Sequence, residues 1–73
     1  MTVTLYFKNS ERELVLNDVI SILTPTDEKA RNFTPISPHY LFFEDNRVYI
    51  FEGKRQHVFI RGEAILCAAV IED

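Results

Sequence analysis

Seventy-three residues make a single domain, 1–73, with no room for a second core, and at this size roughly 60% of the unfolded chain's surface can be buried. A net charge of −3 gives no general attraction to nucleic acid or to an anionic membrane, and no apolar run approaches the roughly 20 residues of a membrane span. No basic stretch leads into an apolar one as a secretory signal would, and Cys67 is the one cysteine, so no intrachain disulfide can form and the expected compartment is cytoplasmic.

The period is two almost throughout, the signature of strands. Thr2–Phe7 puts Val3, Leu5 and Phe7 on one face and Thr2, Thr4 and Tyr6 on the other. Asn9-Ser10 is a turn signal, and Arg12–Leu16 alternates again. With Asn9-Ser10 as the loop, Leu5 faces Leu14 and Val3 faces Leu16, so register and pattern agree. Asn17-Asp18 breaks the run, and Val19–Leu23 resumes it as a third strand.

Thr24–His39 is different. Thr24-Pro25-Thr26-Asp27 reads as a helix start, with Thr24 as N-cap and Pro25 at the first helical position. Pro35 and Pro38 then oppose regular structure. The segment holds all three prolines and is expected to be a crossover with a short helical turn, with the amides of Thr24–Pro38 the least protected of the chain.

Tyr40–Phe43, Arg47–Glu52 and Gln56–Ile60 read as a three-stranded meander, turning at Asp45-Asn46 and Gly53-Lys54. Glycine as first central residue suits a type II′ hairpin turn. One face holds Tyr40, Phe42, Tyr49, Phe51, Val58 and Ile60; the other holds Leu41, Phe43, Val48, Ile50, His57 and Phe59. An antiparallel sheet that is apolar on both faces needs a second cover. Arg61-Gly62-Glu63 breaks the strand. Ala64–Ile71 closes the chain as a strand, favoured over a helix by Val70-Ile71. Cys67 lies in this apolar run with no cationic neighbour in sequence, so a buried, inert thiol is expected.

Leu5–Leu23 and Tyr49–Ala68 share one plan: strand, turn, strand, polar break, strand. Phe7 matches Phe51, Leu14 to Leu16 match Val58 to Ile60, Asp18 matches Glu63 and Ile20 matches Ile65. Duplication explains this, and so does the general likeness of meanders. The match equates the face of Leu5, Phe7, Leu14 and Leu16 with that of Tyr49, Phe51, Val58 and Ile60. The first is core, because its reverse carries Thr4, Tyr6 and Glu13. The outer face is then Leu41, Phe43, Val48, Ile50 and Phe59.

Motifs for chemistry are sparse. His39 and His57 are the only histidines, and with Cys67 they fit no zinc spacing. No metal site and no cofactor are expected. Ser37-Pro38-His39 lacks the orienting acid and oxyanion hole of a nucleophilic triad. Glu44-Asp45 is turn chemistry, and Glu72-Asp73 is a solvated end. Lys54, Arg55, His57 and Arg61 form the one basic cluster, with aromatics nearby, as single-stranded nucleic acid would need. Glu52 and Glu63 flank it, and charged hairpin tips also serve as edge protection.

The expectation is an all-β fold: six or seven short antiparallel strands as a small barrel or two packed meanders, with a Pro-bounded crossover. The expected function is a non-enzymatic interaction module. It forms a homo-oligomer, a dimer, or docks on a partner protein, through Leu41, Phe43, Val48, Ile50 and Phe59 or an edge strand. The alternative is a small barrel binding nucleic acid or a small ligand through Lys54, Arg55, His57 and Arg61.

Overall fold

A computed structural model describes residues 1–27, 29 and 31–72. Its strands are β1 (Thr2–Phe7), β2 (Glu13–Leu16), β3 (Val19–Pro25), β4 (Phe33–Pro35), β5 (Val48–Gly53), β6 (His57–Arg61) and β7 (Ile65–Ile71). They make two antiparallel sheets, ordered β2-β1-β7 and β4-β3-β5-β6. The sheets pack face to face and do not close into a barrel. Among the described residues the only helical turns are 3-10, at Pro38–Tyr40 and Gly62–Ala64.

The period-two pattern decides the first hairpin. Val3 pairs with Leu16 and Leu5 with Leu14, the register that keeps these four apolar side chains on one face. Val3, Leu5 and Leu16 are buried against Val19, Ile22, Tyr49 and Phe51 of the other sheet, with Ile65 beside them. Tyr49 and Phe51 face inward, as their match to Leu5 and Phe7 implies.

The internal repeat takes a particular form. Hairpin β1-β2 receives β7 as its third strand, and hairpin β5-β6 receives β3. Each half of the chain thus sends its last strand into the other half's sheet. The polar breaks are the corners where this happens. Asp18 turns the first corner at φ 55°, a left-handed conformation that Asp tolerates better than most residues. Gly62–Ala64 turns the second. There Gly62 is buried and donates its N–H to Arg47 O at 2.8 Å. A Cβ on Gly62 would sit 2.0 Å from Glu44 O.

Several expectations fail in the crossover. Thr24 does not cap a helix, because β3 runs on through Pro25. Its buried hydroxyl donates instead to Val48 O at 3.1 Å. Asp27 organises a loop, accepting from Arg31 N and Asn32 Nδ2, both at 3.0 Å. Glu28 and Ala30, expected within the helical turn, lie outside the described residues. Pro35 sits in β4, a three-residue edge strand, where a missing N–H is tolerated. The short helical turn comes later, at Pro38–Tyr40, where Ser37 Oγ accepts from His39 N.

The meander is also corrected. Tyr40–Phe43 is not a strand, and β5 pairs with β3 in its place. Nothing local distinguishes a lone apolar tetrapeptide from a strand, and β3 offers β5 a longer ladder. The β5–β6 turn lies one residue later than expected. Tyr49 faces Ile60 and Phe51 faces Val58, and Gly53 N bonds Gln56 O at 2.8 Å, leaving Lys54-Arg55 as the loop. Gly53 has no positive φ and pairs with Val19 inside the ladder. The shift moves pairing by two positions, so the faces of β5 and β6 are unchanged.

Candidate functional site

Cross-strand register assembles the outer face of the four-stranded sheet. Pro35 faces Leu23, Leu23 faces Ile50 and Ile50 faces Phe59. Residues directly opposite on antiparallel strands share a face, so one apolar row crosses all four strands. A second row starts as Phe33 opposite Pro25 and reaches Val48 opposite Arg61. A third holds Ser21, Glu52 and His57. The surface is therefore an apolar band with a polar margin. Ile50, between Leu23 and Phe59, is only 7% exposed, while Phe59 is 66% exposed.

Of the five residues expected on this face, the structure brings Val48, Ile50 and Phe59 together. Leu41 and Phe43 lie elsewhere. Both are half-buried against the core, and Phe43 meets Tyr49 edge to face with ring centroids 4.9 Å apart. Segment 41–44 is a strap across the open side of the core. Tyr49 fixes it: its hydroxyl accepts from Glu44 N at 2.7 Å and donates to Phe42 O at 3.3 Å. Outside a ladder the alternation has the opposite sense, so Leu41 and Phe43 turn in while Tyr40 and Phe42 turn out. Leu23, Pro25, Phe33 and Pro35 replace them on the outer face. The alternation of Val19–Leu23 puts Leu23 on one face with Val19; the register shift between Val19 and Ser21 sends Val19 to the core, and neither that shift nor the pairing of β3 with β5 followed from the sequence.

The basic residues are dispersed. Lys54 and Arg55 form the β5–β6 loop, beside a shallow cleft shared with Asn17, Asp18, Gly53 and Gln56. His57 starts β6, its Nδ1 4.0 Å from Glu52 Oε2. Arg61 ends β6, about 13 Å along the strand from His57 at ~3.3 Å per residue, and lies 3.8 Å from Glu63 Oε1. Elsewhere, Lys8 pairs with Asp45 at 3.0 Å, His39 Nε2 lies 3.4 Å from Glu72 Oε2, and Arg47 pairs with Glu44. No three of the described His, Cys, Asp and Glu residues gather as a metal would require.

Cys67 is exposed, contrary to the expectation of a buried thiol. It pairs with Tyr6 in the ladder and points away from the core, because its neighbours Ile65 and Ala68 take the inward positions. An eight-residue apolar run cannot show which of its faces turns inward.

Among the described residues no helix is long and apolar enough to cross a membrane. No known protein family matches the chain, and no curated protein or solved structure does.

Proposed function

We propose that this protein is a non-enzymatic interaction module that self-associates through the outer face of its four-stranded sheet. The observation that supports this most is the apolar row Pro35–Leu23–Ile50–Phe59, which runs unbroken across four strands and ends in Phe59, 66% exposed. The N-terminal hairpin packs on the opposite face, against Tyr49 and Phe51.

Magnitudes bear on the outcome. Fully burying a side chain such as Phe59, Phe33 or Leu23 stabilises by roughly 1.5–3 kcal/mol. Association costs an estimated 4–15 kcal/mol. Three or four such residues in each copy reach that range, so a modest affinity is expected. The margin of Arg61, Glu52 and His57 would form the polar rim usual around such a patch.

Sedimentation across a range of concentrations tests the reading, with Phe59→Glu as the companion. Phe59 is mostly exposed, so the variant should keep a cooperative unfolding transition and lose association through this face. Unfolding of Phe59→Glu would mean that the residue belongs to the core. A wild-type chain that stays monomeric at every accessible concentration would refute self-association. Apolar contact also predicts little dependence on salt, whereas phosphate binding weakens steeply as salt rises.

A further inference from the structure

Two turns of the molecule meet beside Gly53. The β2–β3 corner brings Asn17 and Asp18, and the β5–β6 turn brings Lys54, Arg55 and Gln56. The shallow cleft between them has a volume of about 320 Å³. Its walls are tied together at the backbone. Val19 pairs with Gly53, Gly53 N donates to Gln56 O at 2.8 Å, and a Cβ at Gly53 would lie 3.5 Å from Asp18 O. Val19 is held in turn by Met1, whose terminal ammonium donates to Val19 O at 3.0 Å. The frame of the cleft is therefore part of the ladder.

The five polar side chains around it are all exposed. Among the described residues none of the five has a hydrogen bond or ion pair within the chain. Charge sets the place apart. From His39 to Glu72 every basic side chain lies within 4.0 Å of a carboxylate, except Lys54 and Arg55, the two that border the cleft. Asp18 borders it too and pairs with neither. The fold constrains Asp18 through its backbone, at φ 55°, which leaves the carboxylate free.

We infer that this cleft binds a small hydroxylated phosphate ester, of the size of a sugar phosphate. Two cations match the double charge that a phosphate monoester approaches at neutral pH. The planar guanidinium of Arg55 suits two of its oxygens at once. A bare anion would leave Asp18 opposing it. A carboxylate only accepts hydrogen bonds, whereas the amides of Asn17 and Gln56 both donate and accept. Hydroxyls carried next to the phosphate satisfy that set. The volume falls at the small end of the roughly 300–1,000 Å³ of ligand clefts. Among the described residues no aromatic side chain lines the cleft, so a nucleobase has no platform to stack on.

Amide shifts followed by NMR test this. The probes are ribose 5-phosphate and glycerol 3-phosphate, with inorganic phosphate, ribose and glycerol as their parts. The expected result is saturable movement of the amides of Asn17, Asp18, Lys54, Arg55 and Gln56. At least one ester should bind more tightly than phosphate or its own polyol, and added salt should weaken it. Lys54→Gln/Arg55→Gln changes only exposed turn residues and should keep the fold. It should weaken ester binding about tenfold, the lower end for hydrogen bonds to a charged group. Asp18→Asn keeps a residue that tolerates the left-handed region and should narrow the gap between ester and phosphate. The assignment is overturned if neither ester moves these amides, or if inorganic phosphate binds as tightly as both. Wild-type affinity in Lys54→Gln/Arg55→Gln, or an unchanged gap in Asp18→Asn, would overturn it as well. So would shift changes spread equally over Lys8, Arg12, Arg47 and Arg61.

Discussion

The two halves of this chain follow one plan and depart from it at the corners and at the last strand. The β2–β3 corner needs a conformation: Asp18 stands at φ 55°. The β6–β7 corner needs space: Gly62 has no positive φ, but its Cα lies against Glu44 and Tyr49. The difference traces to the strap. The second corner is crossed by residues 41–44 on their way into β5, whereas the first meets the β5–β6 turn, where Gly53 lies near Asp18 O, and Met1, which exchanges backbone bonds with Val19. Glycine at position 62 is thus a packing requirement, and the residue at 18 answers to the backbone alone.

The largest effect expected from this contrast is at Gly62. Gly62→Ala drives a methyl into Glu44 O, a backbone atom that cannot swing aside. A loss of about 3 kcal/mol is expected, at the upper end for overpacking, read as a shift in the urea midpoint with unchanged slope. A neutral Gly62→Ala would show that the strap yields and that the corners are equivalent.

Tyr49→Phe tests the strap from the other side. It removes both hydroxyl bonds and leaves Glu44 N without its acceptor, at a cost of about 1–3 kcal/mol. Hydrogen exchange should quicken at Glu44 and Phe43 more than in β1. Uniform quickening across both sheets would mean that the strap is not a separate unit.

At the first corner the ranking of residues is diagnostic. Asp18→Val puts a β-branched side chain at positive φ and should destabilise by about 1–2 kcal/mol. Asp18→Gly should fall within about 0.5 kcal/mol of the wild type, since relief of strain is offset by a freer unfolded chain. If valine were tolerated as well as glycine, the conformational account of this corner would fail.

The smallest effect concerns the last strands. β3 is interior, flanked by β4 and β5, whereas β7 is an edge. Cys67 is exposed on it, so a thiol reagent should label the native, dilute protein stoichiometrically without denaturant and with little change in stability. Labelling that requires denaturant would return Cys67 to the core.

Periodicity by itself determined which residues of β1 and β2 face inward, because a strand's side chains alternate strictly and the reverse face of that hairpin carries Thr4, Tyr6 and Glu13; for β5 and β6, apolar on both faces, the match to the first hairpin supplied the choice. It also determined the first hairpin's register, where turn and apolar pattern coincide. The outer position of Val48, Ile50 and Phe59 followed from that match. Only the tertiary structure decided how strands were shared: β3 goes to β5 and β7 goes to β1, pairings between residues far apart in sequence that leave no local mark. That choice turned Tyr40–Phe43 from a strand into a strap and moved Leu41 and Phe43 to the core side. It also left Leu23 and Pro35 beside Ile50, and Cys67 on the exposed face of its sheet. An apolar residue states that it will be covered somewhere; which neighbour covers it is settled by the competition among long-range ladders.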